Sequence, residues 1–451
     1  MTLSACQRLN VSEFGKPFDF FREGAKKALP DISGSSEKIV FSSEVPSNFL
    51  EDLSKNQFID RGFSDTVAAA VLKDPSVMSL NQSLRVQIAG YDISKSQKDF
   101  QVNGRVYSGI EDISDNTSGV ALVLSANRVV FDGGVIDARI MSQRYNVEAA
   151  RHRLHARAEE RAVELASMWV DLERYQQLNE KINNRLQILN PLIQQLEKVA
   201  DAGLGDASKV AAAQRTVSTI KVTQADVSER LEQAKLNFQN SFGGLPSSSY
   251  AGGLISGLVP NSVSSELVKQ TPAIQAEYAR YKAAEATLVS IKAKDNFNVG
   301  FESRLTKPFG GSSFDSDESL GLVINKTLFN GEQLTAEISQ SEAEVKGAMA
   351  NINLTYREGL RAINNAMQTI KSMDEAILLS RRNIEVTTDE IAYLRKQLII
   401  GESTLDSVLS GEARLYQAEA NEINFLADRR KSELLILGSL GLLRSAFVIN
   451  F

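Results

Sequence analysis

The sequence predicts a mainly α protein with four β-strands, built from one large module written twice. Three observations carry this. First, Phe131-Asp132-Gly133-Gly134 returns 198 positions later as Phe329-Asn330-Gly331-Glu332, and Gly203 returns at Gly401 with the same spacing. Second, residues 135–202 contain no glycine and residues 333–400 no proline, so each reads as one long helix. Third, ahead of each long stretch lies a pair of segments whose apolar and polar residues alternate with the period of a strand. A repeat of roughly 200 residues is far longer than a solenoid unit, so it reads as a duplicated and fused module.

The elements follow in order. Residues 1–60 lack periodicity, are punctuated by Pro17, Pro30 and Pro46, and read as an N-terminal extension. The first repeat, 61–243, begins with a helical pattern broken and recapped at Asp74-Pro75 and running to about Asp99. Val102, Val106 and Ile110 then alternate with Gln101, Asn103, Arg105 and Tyr107, and a turn at Asp112–Asn116 leads to a second run over 120–127. The long helix 135–202 ends at Gly203, a natural left-handed C′ residue, with Pro191 expected to kink it. Ser208 is expected to cap the return helix to about Asn240. Residues 244–270, rich in glycine and serine, form a linker.

The second repeat, 271–445, has the same plan. Phe297, Val299, Phe301 and Leu305 share one strand face, as do Leu320, Leu322, Ile324 and Leu328, with Pro308–Ser319 as the loop between them. The helix over 333–400 carries a heptad stripe, Leu360, Ile363, Met367, Ile370, Ile377, Ile384, Ile391, Leu394 and Leu398, which means coiled-coil packing. Gly401 ends it, Thr404 caps the return to about Leu443, and 446–451 is a tail. At ~1.5 Å per residue each long helix would extend roughly 100 Å.

Composition sets outer limits. Nine prolines and 7% aromatics fit a helical chain, and a net charge of −6 gives no reason to expect nucleic acid as a partner. The one cysteine, Cys6, excludes an intrachain disulfide. Leu3-Ser4-Ala5-Cys6 has the pattern of a lipidation box, although only five residues precede the cysteine; the other reading is an ordinary buried or free thiol. No run of 18 or more apolar residues marks a transmembrane helix.

Four strands with one apolar face cannot close a barrel alone, and open sheet edges are not tolerated in lipid. Either the strands pack on a soluble core, or several chains pool them. Three chains would give twelve strands, an allowed size. Asn298, Glu302, Arg304 and Asn325 would then face the lumen, and Phe297, Phe301 and Leu322 the lipid. The alternative is a soluble coiled-coil protein with a small β cap, a scaffold without a pore.

Four segments in the right order carry a resemblance to a known family. Residues 118–134, Ser-Gly-Val-Ala-Leu-Val-Leu-Ser-Ala-Asn-Arg-Val-Val-Phe-Asp-Gly-Gly, resemble the strand that leads into a long helix in the TolC family of outer-membrane ducts, and 320–331 resemble the equivalent strand of that family's second repeat. Residues 202–210 and 400–409 resemble its two hairpin tips. The resemblance covers about 61–445. It implies a homotrimer, with a twelve-stranded transmembrane β-barrel in outer-membrane lipid set on a periplasmic α-barrel tunnel. It also implies a periplasmic adaptor (membrane fusion protein) and an inner-membrane ABC or RND transporter as partners, in a Gram-negative bacterium. The chain would be a passive exit duct for type I protein secretion or small-molecule efflux.

The resemblance also places an entrance. Gly203, Leu204, Gly205, Gly401, Glu402 and Ser403 would be adaptor-docking tips. Two aspartates that ring the family's entrance correspond to Ser407 and Ser410. An arginine that ties down the closed state corresponds to Ser403, and its acidic partner to Lys209. Asp206, Glu402 and Asp406 keep the rim acidic, with Ser208 beside them. A latch of reversed polarity, Lys209 to Glu402 or Asp406 of a neighbouring hairpin, is therefore expected. The altered entrance favours secretion over efflux.

No catalytic set, metal site or cofactor site is expected. His152 and His155 sit three apart in a strongly basic stretch and read as a solvated helix face rather than a metal pair. Gly203-Leu204-Gly205 lacks a preceding strand and reads as a hairpin tip, not a phosphate loop. Trp169 reads as a packing residue.

Overall fold

The computed structural model describes residues 62–112, 117–203, 207–246, 257–260, 262–309, 312 and 315–451. The N-terminal extension with Cys6, and Leu204, Gly205 and Asp206 at the first tip, lie outside the described residues.

The described chain carries the element plan twice. The first pass is α1 (Phe63–Lys73), α2 (Pro75–Ser96), β1 (Gln101–Asp112), β2 (Thr117–Phe131), α3 (Val135–Asp201) and α4 (Ala207–Phe242). The second, after the short α5 (Ser265–Lys269), is α6 (Pro272–Ala293), β3 (Asn298–Phe309), β4 (Asp317–Asn325), α7 (Gln333–Ile399), α8 (Leu405–Ser439) and the one-turn α9 (Leu443–Ala446). The long helices α3 and α7 are each 67 residues, or ~100 Å at 1.5 Å per residue.

Local chemistry explains the boundaries. Asp74 separates α1 from α2 because its carboxylate accepts the Ser76 amide at 2.9 Å, with Pro75 filling the first helical position. Asp132 starts α3: Oδ1 accepts from Gly134 N at 2.9 Å and Oδ2 from Ile136 N at 2.6 Å. In the second copy the matching turn places a non-glycine, Glu332, at φ 65°. An L side chain there costs about 1–2 kcal/mol, so Glu332→Gly is expected to raise the unfolding free energy by about 1 kcal/mol, read by denaturant titration.

Gly203 (φ 64°) and Gly401 (φ 78°) occupy the left-handed region that ends each long helix. Thr404 caps α8 by accepting from Ser407 N at 3.2 Å. Ser208 does not cap α4: the helix begins at Ala207, so Ser208 already lies within its first turn. Pro191 lies inside α3 without ending it. The second return helix stops at Ser439, and Leu443 belongs to α9 beyond Gly441 (φ 76°).

The four strands form one antiparallel sheet in the order β1-β2-β3-β4, so β2 and β3 join the two repeats and β1 and β4 are free edges. β3 runs two residues past the expected loop start: Pro308 pairs with Ala121. Beyond Thr306↔Asp317 no β4 residue pairs with β3, and proline is tolerated where one side of a strand is unpaired. β4 begins at Asp317, inside the expected loop, and ends at Asn325, which pairs with the first residue of β3; Leu328 therefore lies outside the strand.

α3 is held along its length by different partners. Its first half packs on α2 and α6, with Ser142 Oγ 2.8 Å from Thr287 Oγ1 and Ser290 Oγ donating to Val135 O at 3.0 Å. Its middle lies in the main core, where Trp169 meets Phe63, Phe238 and Phe242 edge-on at 5.1–5.9 Å. Trp169 is thus a packing residue. Its far half packs with α4 and α8 around Leu178, Ile182, Leu189, Val217 and Leu409. On α7 the expected stripe is the inward face, with Ile363, Ile377 and Ile391 buried.

His155 is not on a solvated face. It is half-buried and stacks on Phe451 at 6.3 Å, and burial, with Arg444 and His152 beside it, pushes its pKa down to about 4. One helical turn along α3, Glu159 is 2% exposed and accepts the amides of Leu443 and Arg444 at 3.0 and 2.9 Å. Burial raises its pKa to about 7, against the pull of those amides. The fold therefore favours the protonated acid. Its contribution is full below the unfolded value near 4.5 and falls as pH rises through about 7. Glu159→Gln is expected to flatten the loss of stability between those pH values, up to about 3 kcal/mol at 1.36 kcal/mol per unit. Thermal melts at stepped pH check this.

Candidate functional site

The two faces of the sheet are chemically opposite. The strand register puts Val102, Val106, Leu122, Leu124, Phe301, Leu305, Leu320, Leu322 and Ile324 on one side, because residues directly paired across antiparallel strands share a face. This face is open: Val102 is 70%, Leu322 65% and Ile324 69% exposed. The opposite face carries Asn103, Arg105, Tyr107, Ser125, Asn127, Glu302, Arg304, Thr306 and Asn325, and it is concave, forming a cleft around Asn103, Arg105, Ser125 and Arg304. Expected lipid-facing Phe301 and Leu322 pair directly on the apolar side; Asn298 and Asn325 pair on the polar side. Arg128, Lys307 and Glu318 share this face, beside Phe301, Leu122 and Leu305, but its exposed apolar residues still ask for a non-aqueous or protein neighbour.

At the other end, α3–α4 and α7–α8 form two helical hairpins. Ile399 and Ile400 are exposed beside Gly401. Glu402 N and Ser403 N both donate to Gln397 O, at 2.8 and 3.2 Å, folding the second tip back on its helix. Ser407 Oγ lies 2.8 Å from Thr404 Oγ1, so this serine completes the α8 cap. Ser410 is half-buried. Asp406 accepts from Thr216 Oγ1 at 3.0 Å, tying α8 to α4 of the same chain. Ser208 and Lys209 are exposed on α4.

The strongest electrostatic feature is one that sequence reading missed. Glu412, 1% exposed, accepts from Arg185 of α3 at 2.5 Å and from Arg395 of α7 at 2.5 Å. Arg185 also reaches Glu419 at 3.0 Å, which takes Lys181 at 3.1 Å. Farther along the same seam, Arg174–Asp428, Arg430–Glu173 and Lys431–Asp171 pair at 3.2, 2.8 and 2.5 Å. The contact between the two hairpins thus adds a ladder of ion pairs to an apolar cluster in which Leu409, Tyr416 and Ile423 of α8 meet residues of α3 and α4. A signal existed: Glu412 interrupts the apolar row Leu409, Tyr416 and Ile423 at helical spacing.

These features coincide with a known group of proteins. Residues 263–442 match the family model described as outer membrane efflux protein. This match covers most of the second repeat, and there the chain resembles the outer-membrane efflux proteins of the TolC family. The outer membrane efflux protein BepC of Brucella suis biovar 1 (strain 1330) is 20% identical over 366 residues, which span 77% of this chain and 79% of BepC. The outer membrane protein VceC of Vibrio cholerae superposes with a TM-score of 0.73 at 17% identity, over 84% of this chain and 96% of VceC. The Campylobacter jejuni CmeC outer membrane channel gives 0.74 at 12% identity, over 90% of each chain. At such identities the structural likeness establishes the fold.

The chain carries serines at 407 and 410, and its buried carboxylate, Glu412, lies between the hairpins. Among the described residues no cluster of three potential metal ligands occurs.

Proposed function

We propose that three copies of this chain form an outer-membrane duct, the exit of a tripartite export system. The observation that carries this is the sheet: four strands, apolar outside and polar inside, with two free edges, joined to two 67-residue helices. Free edges in lipid must be paired, and three copies supply twelve strands, an allowed barrel size. The pore-free scaffold alternative leaves the exposed apolar face without a role. The duct is passive; an inner-membrane ABC or RND transporter supplies the energy and a periplasmic adaptor joins the two.

The tips Gly203, Leu204, Gly205, Gly401, Glu402 and Ser403 dock the adaptor, supported by the exposed Ile399 and Ile400 beside them. At the entrance, Lys209 of one chain faces Glu402 of the next. Asp406 is already engaged by Thr216, which leaves Glu402 as the acid for a latch, with Asp206, Ser208, Ser407 and Ser410 lining the rim. BepC is named as an efflux protein, so small-molecule efflux is favoured over the secretion that the altered entrance alone suggested.

Purified protein in a planar bilayer should conduct, and scattering in detergent should give a trimer longer than ~100 Å, the length of one arm. A compact, non-conducting monomer overturns the reading. Lys209→Glu should raise single-channel conductance by replacing attraction with repulsion; unchanged conductance removes the latch.

A further inference from the structure

We infer that the concave face of the sheet holds an anion-binding site built on Arg105 and Arg304, which selects solutes bearing oxyanion groups. The inference rests on the duct reading for its place in export, and on the cleft alone for its chemistry.

The register brings the two arginines together. Arg105 of β1 pairs with Val123 of β2, and Val123 with Thr306 of β3; two residues along, Asn103 pairs with Ser125, and Ser125 with Arg304. Arg105 and Arg304 therefore lie on the same face on either side of β2, one pleat repeat apart. Strand spacings of about 4.8 Å and a rise of about 3.4 Å per residue put their Cα atoms ~12 Å apart, so two guanidinium side chains can converge on one anion between them. Both line the same cleft, whose remaining wall supplies neutral hydrogen-bonding groups: Asn103, Tyr107, Ser125 and Thr306. Its floor is small and apolar at Ala121 and Val123.

Both arginines are exposed, and among the described residues neither is in an ion pair. The contrast with the helices is sharp, because the arginines of the hairpin seam are paired with carboxylates. Acids do share the face: Glu302 lies two residues from Arg304 towards the helices, and Asp317 lies opposite Thr306. Neither is bonded to an arginine of the cleft, so the guanidinium donors remain available. The planar fork of arginine donates two parallel bonds to carboxylate, phosphate or sulfonate. In a trimer six such side chains would ring the lumen within about one pleat repeat, so an anionic group entering the sheet region would meet donors on all sides.

The test uses the full-length protein and the double variant Arg105→Gln/Arg304→Gln; both side chains are exposed, so folding does not depend on them. Calorimetric titration of inorganic pyrophosphate into the detergent-solubilised protein reads the cleft without any current. Binding should be at least tenfold weaker in the variant. Reversal potentials across a potassium chloride gradient read the same site in the membrane. The variant should lose at least half of the chloride-to-potassium permeability ratio, and pyrophosphate block should fall with it. Equal pyrophosphate binding by the two proteins, or none by either, overturns the inference. Binding that is lost in the variant while neither protein conducts supports the anion site and instead sinks the duct reading.

Discussion

Glu412→Ala is expected to lower the unfolding free energy by about 1–3 kcal/mol, because the largely buried Arg185 loses one of its two carboxylate partners. Arg185 and Arg395 come from different helices and Glu412 joins them; Arg185 keeps Glu419 when Glu412 is lost. Its loss should loosen the second hairpin from the first near the tip, where these ion pairs flank the apolar cluster of the seam. Hydrogen exchange should accelerate over 405–420 while the main core around Trp169 stays protected. Single-channel conductance should rise with it. A triple change, Glu412→Leu with Arg185→Met and Arg395→Met, should recover most of the stability, since replacing a whole buried ion network by apolar groups of similar volume is often neutral or better. A loss below about 1 kcal/mol in Glu412→Ala would mean that the apolar cluster of Leu409, Tyr416 and Val217 holds the seam alone.

Gly401→Trp is expected to reduce export by tenfold or more while trimers still assemble. No atom lies within 4 Å of a Cβ built there, so the side chain projects into open space. Its cost to the fold is the left-handed φ of 78°, about 1–2 kcal/mol. Gly401→Ala carries the same backbone cost without the bulk and separates strain from blocked docking. Export assayed in cells, with native gels for the trimer, gives the answer. Full export by the tryptophan variant would remove this tip from the docking surface. Cysteines placed at Glu402 should also cross-link to the adaptor; labelling from outside intact cells would instead invert the topology.

The elements were legible because their signals are local. A 67-residue helix declares itself by a scarcity of breakers (Pro191 in α3, Gly347 and Gly359 in α7), and its end by a glycine that tolerates positive φ, as Gly203 and Gly401 do. Asp74 and Thr404 cap the helices that the sequence assigned to them. Ser208 was misplaced because a serine inside a first turn and a serine at the cap look alike in sequence when another residue starts the helix. The ends of β3 and β4 were missed for a different reason. Whether Pro308 or Asp317 belongs to a strand depends on which residue of the neighbouring strand lies opposite.

By itself the sequence determined the duplicated plan, the long helices and their tips, and the alternation that gives the sheet an apolar and a polar face. All of these follow from periodicity and from residues with restricted backbones. Only the tertiary structure decided which charges meet. Glu412 lies 227 residues from Arg185 and 17 from Arg395. Arg105 and Arg304 come from different repeats and share a cleft only because β2 pairs with both of their strands. His155, three residues from His152 in a basic run, is withdrawn from water by Phe451 at the far end of the chain. Charge pairing acts over a few ångströms in space, and separation along the chain does not record it.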